Sequence, residues 1–340
     1  MKIIRTALLG LGTVNIGLLK ILNSKKDYIA QKHGIEFIIT AVADSSGVAI
    51  NNDGFDYNQL INLKAVKDKV SSLPGFMASV SSESVTEQTN AELLIESSPV
   101  NLETGYPGLH ASKLALSKGM HVVFANKAPL VLAFDELHEL AQFNNLKIAY
   151  SATVCGGLPV INVLQRDLMG ATLKNFKGIL NATTNHILDG MEKGGSMEEG
   201  IKEAQRLGAA EADPGYDVSG HDTANKLFII MKSFTDFNGT INDISIEGIE
   251  NITAQQLIDL RQRGNTIKLI ASAEQSNTGW HLSVKPTQIK VNTFLGNCDG
   301  WEMGIEFETN YYEKISMKIY EEDPIATSAA VFRDAILVFT

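Results

Sequence analysis

An apolar run, Ile3–Leu9, ends directly on Gly10-Leu11-Gly12-Thr13-Val14-Asn15, and a helical pattern, Val14–Leu22, follows at once. A strand that turns through two glycines into a helix is the opening of a wound α/β sheet. Glycines permit a tight turn and let backbone approach a pyrophosphate, whose charge then lies at a helix N-terminus. The same pattern also serves as a plain strand–helix turn without a ligand. The usual third glycine is here Asn15, with Gly17 two residues on. Further apolar runs at Phe37–Val42, Leu93–Glu96, Met120–Phe124 and Leu146–Tyr150 alternate with helical patterns at Tyr57–Val66, Leu109–Ser117 and Asp135–Phe143. That alternation predicts a Rossmann-like, doubly wound parallel sheet. Residues 71–90, rich in Ser, Thr and Glu, read as a loop or a weak strand.

The texture changes after Tyr150. Segment 151–159, Ser-Ala-Thr-Val-Cys-Gly-Gly-Leu-Pro, is a turn-rich junction. Beyond it a strand pattern (Asn175–Asn181) mixes with helical ones (Glu198–Leu207, Asp222–Ser233, Ala254–Leu260), and 281–320 is strand-rich. The expected organisation is a first domain over 1–150, completed by 320–340, and a second, α+β domain over 151–319. Ala326–Val338 is a final apolar segment, helix or strand.

With 340 residues, 44% hydrophobic, the chain can bury a full core. A formal charge of −10 argues against nucleic acid or an anionic membrane as partner. The N-terminal apolar run is too short for a signal peptide, and no stretch approaches the roughly 18 apolar residues of a membrane span. The two cysteines, Cys155 and Cys298, have no metal-like spacing and fit a reduced, cytoplasmic protein.

Several positions carry candidate chemistry. Asp44 ends the second strand 32 residues beyond Gly12, farther than the usual ~20; an insertion around Lys25–Gly34 would account for the gap. Asp44 either accepts from an adenosine ribose, favouring NAD, or merely caps a turn. Ser45 and Ser46 could bond a 2′-phosphate, and no arginine follows the strand. Lys127 lies just past a strand end, where it meets a cofactor or substrate oxygen or is simply solvated. Asn181 and Thr183 belong to a row of small polar side chains that suits a polar substrate or a turn. Farther on, the carboxylates of Glu211, Asp213, Asp217 and Asp222 precede Lys226. Asp222 and Lys226 stand i, i+4 on one helix face. On the surface such a pair is worth about 0.3–0.5 kcal/mol, but the adjoining run Leu227-Phe228-Ile229-Ile230-Met231 points to a buried helix, where charge is costly without a purpose.

The blocks Gly-Leu-Gly-Thr-Val (10–14), Ala-Asn-Lys-Ala-Pro-Leu (125–130), Gly-Gly-Leu-Pro-Val (156–160), Leu-Asn-Ala-Thr-Thr-Asn (180–185), Ala-Glu-Ala-Asp-Pro (210–214) and Gly-His-Asp-Thr-Ala-Asn-Lys-Leu (220–227) together resemble the homoserine dehydrogenase family. The resemblance implies NAD(P)-dependent interconversion of L-homoserine and L-aspartate-4-semialdehyde. It implies that Gly10, Leu11, Gly12, Thr13 and Val14 hold the dinucleotide phosphates, and that Ser97 and Lys127 line the nicotinamide side. Glu211 and Asp222 would then hold the substrate, with Lys226 as proton donor. A sodium ion on the carbonyls of Val154, Gly156 and Leu158, and a homodimer joined through 281–320, are further implications. The sequence departs from the family at Asn15, at Ala182, at Tyr150-Ser151 (where the family often has a sodium-binding glutamate) and at 321–324, where a Gly-Ala-Gly is missing.

The chemistry expected is hydride transfer at an aldehyde carbon, with Lys226, aided by the charge of Lys127, protonating the developing alkoxide. The family pattern fills the chain to Thr340, so a separate threonine-binding regulatory domain is not expected. Two other readings compete. Cys155 would be the nucleophile of an aspartate-semialdehyde dehydrogenase, although no base is placed by spacing to activate it. A non-catalytic dinucleotide sensor would keep the fold and explain the departures.

Overall fold

The computed structural model describes residues 1–78, 80–207 and 215–340. They form two compact units: Met1–Gly157 with Pro324–Thr340, and Leu158–Asp323.

The first unit runs β1 (Lys2–Leu9), α1 (Thr13–Ser24), α2 (Lys26–His33), β2 (Ile35–Asp44), β3 (Gly47–Ile50), α3 (Tyr57–Ala65), β4 (Phe76–Met77), β5 (Leu93–Glu96), α4 (Gly108–Ser117), β6 (His121–Phe124), α5 (Ala128–Phe143) and β7 (Ile148–Ala149). The strand order is β4-β3-β2-β1-β5-β6-β7. The five strands from β2 to β7 are parallel, and β3 and β4 add an antiparallel edge. Leu9 pairs with Ala43 on one side and with Glu96 on the other. The order therefore reverses about β1, and in open α/β sheets ligands sit beyond the strand ends at such a switch point.

Local chemistry explains where the sequence patterns begin and end. The inserted segment before β2 is α2, closed by Gly34 in the left-handed region (φ 66). It is what pushes Asp44 so far from the glycines. Helix α5 starts earlier than its periodicity predicts. The Asn126 side chain accepts from the Ala128 N–H at 2.9 Å, and a proline sits in the first turn. Ala133 leaves helical geometry (φ −148), so only the second half keeps a clean period. Within 71–90 lie β4 and a 3-10 turn, Ser82–Thr86.

The second unit runs α6 (Val160–Asn162), β8 (Leu173–Ile179), α7 (Ala182–Glu192), α8 (Met197–Arg206), α9 (Gly215–Val218), α10 (His221–Phe234), β9 (Ile244–Ile246), α11 (Ala254–Gln262), β10 (Asn265–Ser276), β11 (Gly279–Lys290), β12 (Glu302–Thr309) and β13 (Ile315–Tyr320). Its sheet, ordered β13-β12-β8-β10-β11-β9, is antiparallel except where β9 joins β11. Capping boxes at Ser196–Glu199 and Thr253–Gln256 start α8 and α11.

The final segment is a helix, α12 (Ile325–Leu337), and it belongs to the first unit. Leu18, Leu19 and Leu22 of α1 share one core with Ala330, Val331 and Ile336 of α12. Gly17 is the close-approach residue of this packing, since a Cβ there would overlap Ser328, whose hydroxyl donates to the Val14 carbonyl at 2.9 Å. Among the described residues no helix is long and apolar enough to cross a membrane.

Candidate active site

At the switch point a cleft of about 840 Å³ opens, lined by Gly10–Gly12, Asp44–Gly47, Lys64 and Ser97–Pro99. Gly10 has φ +88, and a Cβ on it would lie 2.5 Å from the Ser97 carbonyl oxygen. Only glycine fits between β1 and β5 there. Gly12 is different: a Cβ on it would meet nothing within 4 Å, so the space beside it is open. Gly12 is the N-cap of α1, no side chain caps that terminus, and its first turn carries no acid. Thr13 and Val14 form that first turn. The terminus thus offers backbone N–H groups and positive dipole to an anion. Asn15, in place of the third glycine, is buried and folds its amide back to donate to the Gly10 carbonyl at 2.6 Å. It staples the loop, while Gly17 does the helix-packing work.

Of the two alternatives for Asp44, the structure shows the turn cap. One carboxylate oxygen accepts from the Ser46 N–H (2.8 Å) and hydroxyl (2.5 Å), the other from the Val70 N–H (3.1 Å). A carboxylate offers about four acceptor sites, so a turn cap still leaves room for a ribose hydroxyl. The Ser46 hydroxyl, which also accepts from the Ser71 N–H at 3.1 Å, is committed to this turn. Ser45 is exposed and, with Lys64, lines the cleft.

At the end of β5, the Ser97 hydroxyl is buried without a partner among the described residues. Glu96, fully buried beside it, was not singled out by the sequence, where it looks like the last residue of an apolar strand. Its carboxylate accepts from the Ser98 N–H (2.9 Å), the Ser98 hydroxyl and the Asn126 amide (3.4 Å). Burial pushes its pKa up to about 7, opposed by those hydrogen bonds. Lys127 follows Asn126 and is the N-cap residue of α5.

In the second unit a second polar cluster forms around the start of α7 and α10. Asn181 is the N-cap of α7, its oxygen accepting from the Thr184 N–H at 2.8 Å. Its amide nitrogen donates to Asp217 and to Asp222, both at 2.7 Å. Asp222 then pairs with Lys226 at 2.6 Å, and the Lys226 ammonium also donates to the Leu180 carbonyl at 2.9 Å. Asp222 is 4% exposed, so this is a buried network and not the solvated surface pair that the i, i+4 spacing alone allows. Thr183 is buried in the first turn of α7. Sequence reasoning left Asp217 unassigned inside its carboxylate run and could not foresee the Leu180 carbonyl, since neither position has a distinguishing spacing. Glu211 lies outside the described residues.

Of the positions expected to bind sodium, Val154 and Gly156 fall in the first unit and Leu158 in the second. Ser151, which stands where a glutamate would, commits its N–H (2.8 Å) and hydroxyl (2.7 Å) to buried Asp334 of α12. Cys155 is fully buried, a poor placement for a nucleophile that must meet an aldehyde.

The first unit is thus a dinucleotide-type α/β fold with a bare helix N-terminus at its switch point, and the second carries a buried acid–lysine cluster. Fold and site define a nicotinamide-type oxidoreductase class. The homoserine dehydrogenase family model matches residues 159–336. The chain is 36% identical over 333 residues to a homoserine dehydrogenase of Methanocaldococcus jannaschii, covering 98% of this chain and 97% of that one. It is 34% identical to an NAD(+)-dependent homoserine dehydrogenase of Pseudomonas canavaninivorans, covering 98% and 95%. A hyperthermophilic archaeal homoserine dehydrogenase solved with NADPH superimposes with a TM-score of 0.82 at 26% identity, over 99% of this chain and 98% of that one. The chain belongs to the homoserine dehydrogenase family.

Proposed function

We propose that this protein is an NAD(P)-dependent homoserine dehydrogenase, interconverting L-homoserine and L-aspartate-4-semialdehyde in amino-acid biosynthesis. The observation that carries the reading is the buried Asn181–Asp222–Lys226 network in a chain whose first unit ends β1 on an uncapped, acid-free helix N-terminus. The residues of the cleft fit a dinucleotide. Gly10–Val14 would take its phosphates, Asp44 its adenosine ribose, and Ser97 and Lys127 its nicotinamide side. Bound there, the nicotinamide would give or accept the hydride.

The chain's own groups supply the rest. In the reducing direction the carbonyl carbon gains a hydride, and the oxygen gains a proton from the Lys226 ammonium; oxidation reverses both transfers. Asp222 and the Leu180 carbonyl fix that ammonium in place, so little reorganisation is needed when charge develops on the substrate oxygen. Lys127 adds positive charge. Glu211 and Asp222 complement the substrate ammonium, with Asn181 and Thr183 orienting the site, which favours an amino-acid aldehyde over a plain one. The first unit serves as the dinucleotide-binding domain and the second as the substrate-binding and dimerisation domain of a cytoplasmic homodimer. A sodium ion has no part in this reading. Against the sensor reading stands the intact Asp222–Lys226 pair. A matrix of NAD and NADP against homoserine and the semialdehyde tests it, with homoserine-dependent nicotinamide reduction expected. No absorbance change with either cofactor across pH, with sodium or potassium present, would exclude it.

A further inference from the structure

We propose that Glu96 is a positioning residue that ties the Ser97–Ser98 wall of the cleft to the Asn126–Lys127 turn, and that gain or loss of its proton resets the tie. One carboxylate oxygen collects the Ser98 N–H, the Ser98 hydroxyl and the Asn126 amide. Asn126 in turn accepts from the Ala128 N–H and so fixes the start of α5, where Lys127 stands. A single buried carboxylate therefore joins the ends of β5 and β6, which pair through Glu96 and Phe124.

Two details show that this cradle is built for a carboxyl group. Gly108, the first residue of α4, would carry a Cβ 2.7 Å from the Glu96 oxygen and 3.1 Å from the Asn126 nitrogen. The helix can start there only because that Cβ is missing. The second carboxylate oxygen is buried with no partner among the described residues. A buried charge left half-satisfied is costly, whereas a neutral acid places its proton on that oxygen.

Among the described residues, burial and hydrogen bonds are the causes that set its state. Leu9 and Phe124 flank it in the sheet. Of the titratable groups on α4, His110 is exposed and acts on Glu83, and Lys113 pairs with Glu136 at 2.7 Å. The Glu96 shift has burial as its largest cause, opposed by its three hydrogen bonds. The ionised form strengthens the bonds from Ser98 and Asn126, because charge-assisted hydrogen bonds are shorter and stronger. It tightens the cleft wall while lowering fold stability.

The sign follows from linkage. The unfolded chain holds this proton only within the ordinary carboxylate range, while the folded chain holds it up to about 7. The stability it contributes is fully present below the ordinary carboxylate range, is lost progressively as pH rises from there, and is gone by about 7.

The test uses the full chain without cofactor for melting, and NADH titration for binding. Melting does not depend on reading the cleft as a homoserine dehydrogenase site; only the binding arm does. In the unmodified protein a component of Tm should fall as pH rises from about 4.5 to about 7 and level off above that, while NADH affinity rises roughly three- to tenfold as the folded carboxyl ionises, as for one linked proton. Glu96→Gln keeps the shape and should flatten both slopes. Unchanged slopes in Glu96→Gln overturn the proposal. If that variant does not fold, Ser98→Ala decides. Losing a hydrogen bond to the charged form should move the melting transition to higher pH, and an unmoved transition rejects the role.

Discussion

Helices α1 and α10 both begin on a glycine, at Gly12 and Gly220, and neither terminus has a side-chain cap. Their first turns then diverge. That of α1 carries no acid and opens onto the cleft, so its dipole is left for an anion from outside the protein. That of α10 carries Asp222, an internal anion, which in turn anchors Lys226. One terminus is left without an internal anion, whereas the other holds one that pairs with a cation. On the proposed reading, the same backbone feature would serve as a phosphate cradle in one unit and position an acid in the other.

The largest expected effect breaks the second arrangement. Lys226→Ala should lower kcat by roughly 10²–10⁴-fold, the range for losing a general acid, with dinucleotide binding retained. Removing one partner of a buried pair also destabilises, by about 3–5 kcal/mol, so melting must be followed on the same preparation. The double variant Lys226→Ala/Asp222→Asn relieves the stranded charge and should regain much of that stability without regaining kcat. Asp222→Asn alone should raise KM for homoserine at least as much as it lowers kcat. Near-normal kcat in folded Lys226→Ala would move the proton-donor role to Lys127.

A smaller effect separates the two glycines of α1's approach. Gly10→Ala forces a left-handed conformation and a clash with the Ser97 carbonyl, costing about 1–3 kcal/mol of stability. Dinucleotide affinity should fall with it. Gly12→Ala meets no protein atom, so Tm should stay within what about 0.5 kcal/mol would give, while NADH binding weakens because the Cβ enters the space for the pyrophosphate. Equal losses of Tm in the two variants would deny that Gly12 faces a ligand.

These two regions also differ in how far the sequence reveals them. The glycine turn is a local feature: strand, turn and helix are contiguous, so spacing alone located it. The reason for Asn15 was not local, because its function depends on where the Gly10 carbonyl points, and the packing role passed to Gly17 only once α12 lay against α1. The acid–lysine pair was visible as an i, i+4 spacing beside an apolar run, but its partners, the Asn181 amide and the Leu180 carbonyl, come from another part of the chain, brought in by tertiary folding. Glu96 was least legible of all. A carboxylate closing an apolar strand has no periodic signature, and its environment is assembled from β5, the Asn126 turn and the start of α4. Helix α7 was hidden for a related reason: Thr and Asn are weak helix formers, and burial of Ile187, Leu188 and Met191 overrides that preference.

The smallest effect concerns the outer end of the cleft, where the external anion of the α1 side would be extended or not by a 2′-phosphate. Asp44 keeps acceptor capacity for a free ribose hydroxyl, and the Ser46 hydroxyl is committed to Asp44 and Ser71. That leaves exposed Ser45 as the serine able to turn toward a phosphate, with Lys64 the cation lining the same cleft. Cofactor choice should therefore be permissive, with NAD used appreciably. A preference for NADP beyond about a thousandfold in kcat/KM, some 4 kcal/mol, would contradict this. Ser45→Arg adds the fork that recognises a 2′-phosphate. Because the site is exposed and its charges are screened, the shift in the NADP-to-NAD ratio of kcat/KM should be modest, about tenfold. Raising ionic strength should erode that gain while leaving NAD turnover unaltered. A ratio that does not move, or that moves equally at high salt, would mean that residue 45 does not face the 2′ position, and Lys64→Ala would then be the variant that reports on it.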